Sequence, residues 1–370
     1  MKCAKNWHHA GWLSKGGERM QRGYILITGG AGFIGTNVAR NYLRQGQPVH
    51  IFDNLSRPGV EQNLLDLQQD FGGRVHFTRA DLRDRNEVNK AVATANAVYH
   101  LAAQVAVTTS LEQPLDDLGT NLLGTLHVLE AIRHSSTQPP LLFTSTNKVY
   151  GHLGGVPLAK RSTRYEPEDA LIAHSGAGED QPLEFLSPYG CSKGSADQYV
   201  LDFARSYGLR ATVFRMSCIY GPHQLGSEDQ GWVAHFLRQA MKGEPITIYG
   251  DGKQVRDLLF VEDLVRAMRV AQENMSVAAG EAFNLGGGVG NSTSLLELIN
   301  EIIALTGNPV DIDWGPERLA DQKWYVASTA KIRTLLGWTP EVSIRQGLRT
   351  LRDWYLERPA LVAQSEAQVA

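Results

Sequence analysis

The residues with the most evident chemistry in this sequence are Tyr189 and Lys193, four positions apart. Oxidation of an alcohol carbon needs a base that takes the hydroxyl proton while a nicotinamide takes the hydride. Spacing of four places both side chains on one helix face, where the ammonium can lower the pKa of the phenol. Ser187-Pro188 is typical of a helix start. The sequence therefore predicts Tyr189 as the acid/base and Lys193 as its partner.

The same spacing occurs a second time, at Tyr249 and Lys253. The intervening residues are Gly-Asp-Gly, which favour a turn rather than a helix. On a turn the two side chains need not share a face. We therefore expect the first pair to be functional and the second to be coincidental.

A glycine-rich stretch near the start of the sequence, TGGAGFIG (28–35), is typical of a dinucleotide-binding loop. Glycines there permit a tight turn and close approach of the backbone to a pyrophosphate, whose charge the following helix N-terminus stabilises. Asp53 ends the next predicted strand, where a carboxylate accepts a hydrogen bond from the ribose 2′-OH and repels a 2′-phosphate. The sequence thus favours NAD, and the nearby Arg57 leaves NADP as an alternative.

Short apolar runs alternating with helical patterns predict an α/β fold, a Rossmann doubly wound parallel sheet with a smaller, interleaved C-terminal substrate lobe. The predicted strands are Tyr24–Thr28, 49–52, 75–77, 97–100, 141–144 and 211–214. Residues 21–218 are expected to form the Rossmann domain and 219–357 mainly the lobe. Residues 151–184 are predicted to be a long loop, 1–20 a disordered tail and 358–370 a second tail.

Composition excludes several other classes of protein. A formal net charge of -3 gives no reason to expect nucleic acid as a partner, and no apolar run approaches the length of a membrane span. The three cysteines form no CxxC pair, which fits a reducing compartment, the cytoplasm, without a structural metal. His8-His9 lacks further ligand residues nearby, so no metal site is expected.

Several longer stretches resemble the extended short-chain dehydrogenase/reductase family, over residues 24–354. They are AAQVAVTTS (102–110), STNKVYG (145–151), SPYGCSKG (187–194), DQGWV (229–233), GKQVRD (252–257) and NLGGG (284–288). Within that family they are most similar to the CDP-paratose 2-epimerase group, also called CDP-tyvelose 2-epimerases. The resemblance implies tightly bound NAD, a nucleotide-diphosphate sugar as substrate, with a CDP-sugar favoured, and redox-neutral inversion at C2 through a transient keto sugar.

The resemblance also implies roles for individual residues. The catalytic residues would be Thr146, Tyr189 and Lys193. The cofactor-binding residues would be Gly29, Gly32, Phe33, Ile34, Gly35, Asp53, Asn54, Ser56, Arg57, Asp81, Leu82, Leu101, Ala102, Ala103 and Gln104, together with Tyr189 and Lys193. The substrate-binding residues would be Thr146, Asn147, Arg256 and Arg318, because guanidinium groups form paired hydrogen bonds with phosphate.

Two alternatives remain at this point: a nucleotide-sugar 4-epimerase using the same catalytic residues, and a non-catalytic NAD-binding regulator. The 4,6-dehydratases of the family carry an Asp-Glu pair after the catalytic threonine, where this sequence has Asn147-Lys148. Neither residue is a carboxylate, which argues against dehydration. By analogy with the fold, a homodimer is expected through paired helices within 122–133 and 192–205, or a dimer of such dimers.

Overall fold

In the computed structural model, which describes residues 23–318 and 321–363, the central feature is a seven-stranded, all-parallel sheet. Its strands are β1 (Tyr24–Thr28), β2 (Val49–Asp53), β3 (Val75–Arg79), β4 (Ala95–His100), β5 (Leu141–Thr146), β8 (Ala211–Met216) and β12 (Ala282–Leu285). The strand order is β12-β8-β5-β4-β1-β2-β3. The order reverses between β1 and β4, and ligands of such sheets bind outside the carboxyl ends of the strands at that point.

Helices cover both faces of this sheet, which explains why most residues of its inner strands are buried. They include α1 (Phe33–Arg44), α2 (Val60–Phe71), α3 (Arg85–Ala93), α6 (Gly124–His134) and α8 (Ser187–Tyr207). Two shorter helices, α4 (Val107–Glu112) and α5 (Pro114–Leu118), pack on α8. A π-helical turn, Gly119–Leu123, joins α5 to α6. Ile25 and Ile27 of β1 pack with α1 and α2, whereas Leu26 packs with α3, α6 and α8 on the opposite face. The predicted α/β Rossmann fold is confirmed.

The segment predicted to be a long loop, 151–184, contains regular structure. The strands β6 (Leu158–Lys160) and β7 (Tyr165–Pro167) pair antiparallel, and a short helix, α7 (Ala170–Ser175), follows them. Asp169 caps α7 by accepting hydrogen bonds from the Leu171 and Ile172 amides. The prediction was wrong here because these elements are three to six residues long and carry little periodicity.

The later part of the chain forms the lobe and also returns to the main sheet. It contains β9 (Cys218–Tyr220), α9 (Trp232–Lys242), β10 (Ile246–Tyr249), β11 (Val255–Phe260), α10 (Val261–Glu273), α11 (Met275–Ala278), β13 (Ser292–Ser294), α12 (Leu295–Thr306), β14 (Ile312–Gly315), β15 (Trp324–Tyr325), α13 (Ala330–Leu336), α14 (Ile344–Leu356) and α15 (Pro359–Ala363). β12 extends the main sheet beside β8, and α10 packs on the same face as α1. β11 pairs with β9, β13 and β15 of the lobe. It also joins the two parts, because its Leu259 packs in the core that α1 and α10 share, whereas Leu258 and Phe260 pack in the core of the lobe.

The two predicted tails differ in what the structure describes. Residues 1–20 lie outside the described part of the chain. Part of the C-terminal tail forms α15, whose Leu361 and Val362 pack against the apolar core of the lobe. Among the described residues, no helix is long and apolar enough to cross a membrane.

Candidate active site

The three predicted catalytic residues come from two adjacent elements, β5 and α8. Thr146 is the last residue of β5, and Tyr189 and Lys193 lie in the first two turns of α8. All three are buried, with exposures of 7%, 8% and 3%, respectively. The Thr146 side chain accepts a hydrogen bond from the Lys148 amide at 3.2 Å, and it lies close enough to the Tyr189 hydroxyl to lower the pKa of that phenol. The structure thus brings the threonine and tyrosine hydroxyls together.

The Lys193 ammonium lies against β5. Its Nζ donates a 2.6 Å hydrogen bond to the carbonyl of Thr144 and lies 4.2 Å from the centre of the Phe143 ring. Burial lowers the pKa of Lys193 to about 7, although the carboxylates of Asp197 and Asp117 favour its protonated form. This lysine can therefore change its charge near neutral pH.

Burial, together with the nearby Asp117 carboxylate, raises the pKa of Tyr189 to about 12, although the Thr146 side chain favours the ionised phenol and lowers this pKa. We expected Lys193 to lower this pKa. The structure instead directs the ammonium to the Thr144 carbonyl, and the electrostatic effect of Asp117 opposes ionisation of the phenol. The charge that makes Tyr189 a base at neutral pH must therefore come in part from outside the chain.

A buried polar network that the sequence analysis missed lies beneath the catalytic helix. Asn121 donates hydrogen bonds to Asp117 at 3.1 Å and to the Ser192 hydroxyl at 3.1 Å, and Ser192 in turn donates to Asp117. The Gln104 amide donates to Asn121 Oδ1 at 2.8 Å. Asn121 lies in the π-helical turn, a feature that is frequent at functional sites. The spacing of Asp117 and Asn121 is visible in the sequence, but their contact with Ser192 is not.

His100 connects this network to the glycine-rich loop. The Thr125 hydroxyl donates to the Asn121 carbonyl at 2.6 Å, so it accepts a hydrogen bond from His100 Nε2–H at 3.0 Å. His100 Nδ1 then accepts from the Thr28 hydroxyl at 2.7 Å. Burial and the positive charge of Lys193 lower the pKa of His100 to about 3, which keeps the ring neutral.

The glycine-rich loop is packed too closely for side chains. Gly29 has φ +68°, and a Cβ there would lie 2.7 Å from the Ala102 nitrogen. A Cβ on Gly35 would lie 2.3 Å from the Gly29 carbonyl oxygen. Asp53 stands beside the loop and accepts hydrogen bonds from the Ala31 and Leu55 amides at 3.1 and 2.9 Å. This close backbone packing and an acid at the end of β2 fit an NAD pyrophosphate and ribose.

The other predicted cofactor residues lie along the carboxyl ends of β1 to β4. Phe33, Ile34 and Gly35 form the first turn of α1, with Gly32 as its N-cap. Asn54 donates to Asp81 at 3.0 Å and accepts from the Ser56 amide. Burial raises the pKa of the Asp53 carboxyl, and the nearby Arg57 partly opposes this effect. The Arg83 side chain holds the pKa of Asp81 at about 2. Leu82 is buried, and Leu101, Ala102, Ala103 and Gln104 follow β4.

Polar side chains of the lobe contact three of the predicted substrate residues, Asn147, Arg256 and Arg318. Asn147 Nδ2 donates to Gln322 Oε1 at 3.0 Å, and Arg256 Nη2 lies 2.8 Å from Asp321 Oδ1. Arg318 lies farther along, with Nη2 3.1 Å from Asp229 and its guanidinium 3.9 Å from the centre of the Tyr249 ring. The two arginines are therefore held by different carboxylates.

The second Tyr/Lys pair is separated in the structure. Tyr249 contacts Arg318, whereas Lys253 Nζ donates to the carbonyl of Arg161 at 3.0 Å. A turn lies between them, as predicted. Among the described residues, no group of three or more His, Cys, Asp or Glu side chains is arranged to hold a metal ion.

Comparison with characterised proteins gives relatives that match most of the chain. The CDP-paratose 2-epimerase of Salmonella typhi is 42% identical over 337 residues, which cover 89% of this chain and 98% of that protein. The dTDP-glucose 4,6-dehydratase of Neisseria meningitidis serogroup B is 33% identical and matches 90% of this chain and 93% of that protein. Both likenesses extend over the Rossmann domain and the lobe.

Solved structures agree with this pattern. The UDP-glucose 4-epimerase of Thermotoga maritima, solved with UDP-glucose, superposes with a TM-score of 0.77 at 31% identity and covers 90% of this chain and 99% of its own. The UDP-glucose 4-epimerase of Thermus thermophilus, solved with NAD, gives a TM-score of 0.75 at 30% identity with the same coverage. The sequence model of one family matches residues 25–286. The chain therefore belongs to the NAD dependent epimerase/dehydratase family.

Proposed function

We propose that this protein is an NAD-dependent epimerase that inverts C2 of a CDP-linked 3,6-dideoxyhexose. The observation that carries this proposal is the buried pair of hydroxyls, Thr146 and Tyr189, beside a loop whose glycines fit a dinucleotide. The nucleotide and the carbon are supported by the 42% identity to a protein named CDP-paratose 2-epimerase.

The residues expected to hold NAD are those of the glycine-rich loop, Asp53 at the ribose, and the residues after β2, β3 and β4. NAD held there would supply a nicotinamide ring able to take up a hydride from a sugar carbon and give it back, which would leave the cofactor regenerated and bound. The positive charge of that ring would also favour the ionised form of Tyr189. Lowering the pKa of Tyr189 from about 12 to near 7 requires roughly 7 kcal/mol.

The remaining chemistry is assigned to the chain's own groups. Tyr189 as phenolate takes the proton from the sugar hydroxyl, and it returns that proton after the keto sugar presents its other face. Thr146 donates a hydrogen bond to the reacting oxygen and orients it. Lys193, protonated at or below neutral pH, contributes positive charge to the site from its place on the Thr144 carbonyl.

The lobe formed mainly by residues 219–357 is proposed to bind the nucleotide-diphosphate sugar. Arg256 is buried and Arg318 is half-buried, and both would exchange a carboxylate partner for phosphate oxygens. Bidentate hydrogen bonding suits guanidinium groups to this role. Asn147 would contact the sugar from the turn after β5.

A nucleotide-sugar 4-epimerase is the second candidate, because the UDP-glucose 4-epimerases of two thermophiles share the fold over 99% of their length. Tyr189, Thr146 and Lys193 would serve either reaction equally. A 4,6-dehydratase is less consistent with the site, because Asn147 and Lys148 supply no carboxylate after the catalytic threonine.

The test is to incubate the purified protein, without added cofactor, with CDP-paratose, CDP-glucose and UDP-glucose, and to follow the products by proton NMR. Inversion at C2 without net reduction is the expected result, and the preferred sugar identifies the substrate. Inversion only at C4 of UDP-glucose would replace the proposal with the second candidate. No turnover on any of these sugars, even with NAD⁺ added, would contradict both.

A homodimer through α6 and α8 is also proposed. The outer surface of α5, the π-helical turn and α8 exposes apolar side chains, including Leu115, Leu123 and Tyr199 at 81%, 47% and 44%. Such a patch is typical of an interface. Leu123→Arg should convert the dimer to a monomer in sedimentation velocity, whereas Leu65→Arg, at a 56% exposed position on α2, should not.

A cytoplasmic location is proposed as well. The free cysteines Cys191 and Cys218 support it, because cysteines stay reduced in that compartment.

A further inference from the structure

Two cationic side chains converge on one carboxylate oxygen in the proposed substrate site. Arg256 Nη2 lies 2.8 Å from Asp321 Oδ1, and Lys148 Nζ lies 3.5 Å from the same atom. Arg256 comes from β11 in the lobe, whereas Lys148 comes from the turn directly after β5 of the Rossmann sheet. The position of Asp321 Oδ1 is therefore one where a single anionic oxygen interacts with cations from both parts of the chain.

Lys148 is also part of the turn that carries the catalytic threonine. Its backbone amide donates to Thr146 Oγ1 at 3.2 Å, and its side chain extends from there towards Arg256. That side chain is only 22% exposed, so its charge is poorly screened by water. Burial and, to a smaller extent, the nearby Arg256 cation lower the pKa of Lys148, and the Asp321 carboxylate opposes this effect. A further anion bound beside Lys148 and Arg256 would reduce the repulsion between these two cations.

The chemistry of the two candidate reactions differs in where the substrate phosphate must lie. C2 is bonded to C1, the carbon that carries the diphosphate, whereas C4 is at the opposite end of the sugar ring. Inversion at C2 therefore requires the sugar-linked phosphate to lie next to the reacting oxygen, and hence next to Thr146. Inversion at C4 places that phosphate a full ring width away.

We propose that Lys148 is a substrate-binding residue which, together with Arg256, binds the phosphate attached to the sugar at the position marked by Asp321 Oδ1, and thereby directs the reaction to C2. This inference rests on the proposed function for its choice of carbon. The phosphate contact itself depends only on the convergence of Lys148 and Arg256.

The phosphate contact is tested with CDP and CMP, because CDP carries the phosphate that would be attached to the sugar and CMP lacks it. Binding of both to the NAD-containing enzyme is measured by titration calorimetry. Lys148→Met keeps most of the side-chain length and removes the charge, and Lys148→Arg restores the charge. Lys90→Met is the matched control, at a lysine that is 72% exposed on α3.

Lys148→Met should raise the Kd of CDP on the order of tenfold or more, the loss typical of a hydrogen bond to a charged group, and leave the Kd of CMP unchanged. Lys148→Arg should restore most of the CDP affinity, and Lys90→Met should alter neither. Unchanged CDP binding in Lys148→Met, or equal losses for CDP and CMP, would overturn the contact, because a merely structural role cannot distinguish the two nucleotides.

The choice of carbon is tested separately by proton NMR of the products. With CDP-paratose, the wild type should invert C2, and Lys148→Met should show a raised KM for that reaction. If the wild type inverts C4 of UDP-glucose and does not act at C2, the proposed function fails and so does the directing role of Lys148. The comparison of CDP with CMP still decides the phosphate contact in that case.

Discussion

Replacement of Gly35 by alanine sets two physical effects against each other. Gly35 lies in the first turn of α1, where alanine is favoured over glycine by about 1 kcal/mol of helix propensity. The added Cβ, however, would lie 2.3 Å from the Gly29 carbonyl oxygen and 2.6 Å from the Gly30 Cα. Both are backbone atoms that no side-chain rotation can move. The contact is relieved only if α1 shifts away from the loop after β1.

We expect the packing effect to win. Overpacking costs about 1 to 3 kcal/mol, and a contact this short with backbone belongs at the upper end, so the net loss of stability should be about 1 to 2 kcal/mol. The shift of α1 also moves the amides of its N-terminus away from the pyrophosphate. Gly35→Ala should therefore unfold at lower urea concentration and retain much less NAD after purification than the wild type.

Gly73→Ala is the control, because a Cβ at Gly73 meets no atom within 4 Å. Its free energy of unfolding should change by no more than about 0.5 kcal/mol, and its NAD content should match the wild type. Wild-type stability in Gly35→Ala would refute the packing argument. Reduced stability with full NAD content would leave the packing argument intact and refute the assignment of the loop to the pyrophosphate.

Three further predictions concern the catalytic and cofactor residues. Tyr189→Phe should lower kcat by about 10²- to 10⁴-fold with little change in CDP affinity; a kcat near the wild-type value would remove Tyr189 as the acid/base. Burial holds the pKa of His100 at about 3 in the folded protein, whereas a histidine in the unfolded chain has a pKa of about 6.5. As the pH falls below about 6.5, the imidazole therefore takes up a proton in the unfolded chain but not in the folded protein. This difference should lower the free energy of unfolding by about 2 kcal/mol between pH 7 and pH 5. His100→Asn should make the free energy of unfolding correspondingly less pH-dependent in urea titrations. An equally steep dependence in the variant would show that His100 is not neutral in the folded protein. Asp53→Asn should weaken the preference for NAD over NADP in competition binding on the order of tenfold, since the carboxylate no longer repels a 2′-phosphate; an unchanged preference would exclude Asp53 from the ribose site.

The strands of the Rossmann sheet could be predicted because each is a local apolar run bounded by turn residues. β1 has the predicted bounds, Tyr24–Thr28, and β4 begins two residues before the predicted start at 97. The position of β12 in the sheet could not be predicted in this way. It depends on backbone hydrogen bonds with β8, and a ladder between distant segments leaves no local pattern in the sequence.

The sequence by itself determined which chemical groups are available: a Tyr/Lys pair at helical spacing, glycines before a helix, and an acid at the end of a strand. These follow from local spacing, which sets the face and the end of an element on which a residue lies. Only the tertiary structure decided what those groups contact and how they ionise. It placed Lys193 on the Thr144 carbonyl and joined Lys148 with Arg256 at Asp321. The physical reason is that pKa values and ion pairing depend on burial and on charges brought close by the fold, and neither is encoded in the spacing along the chain.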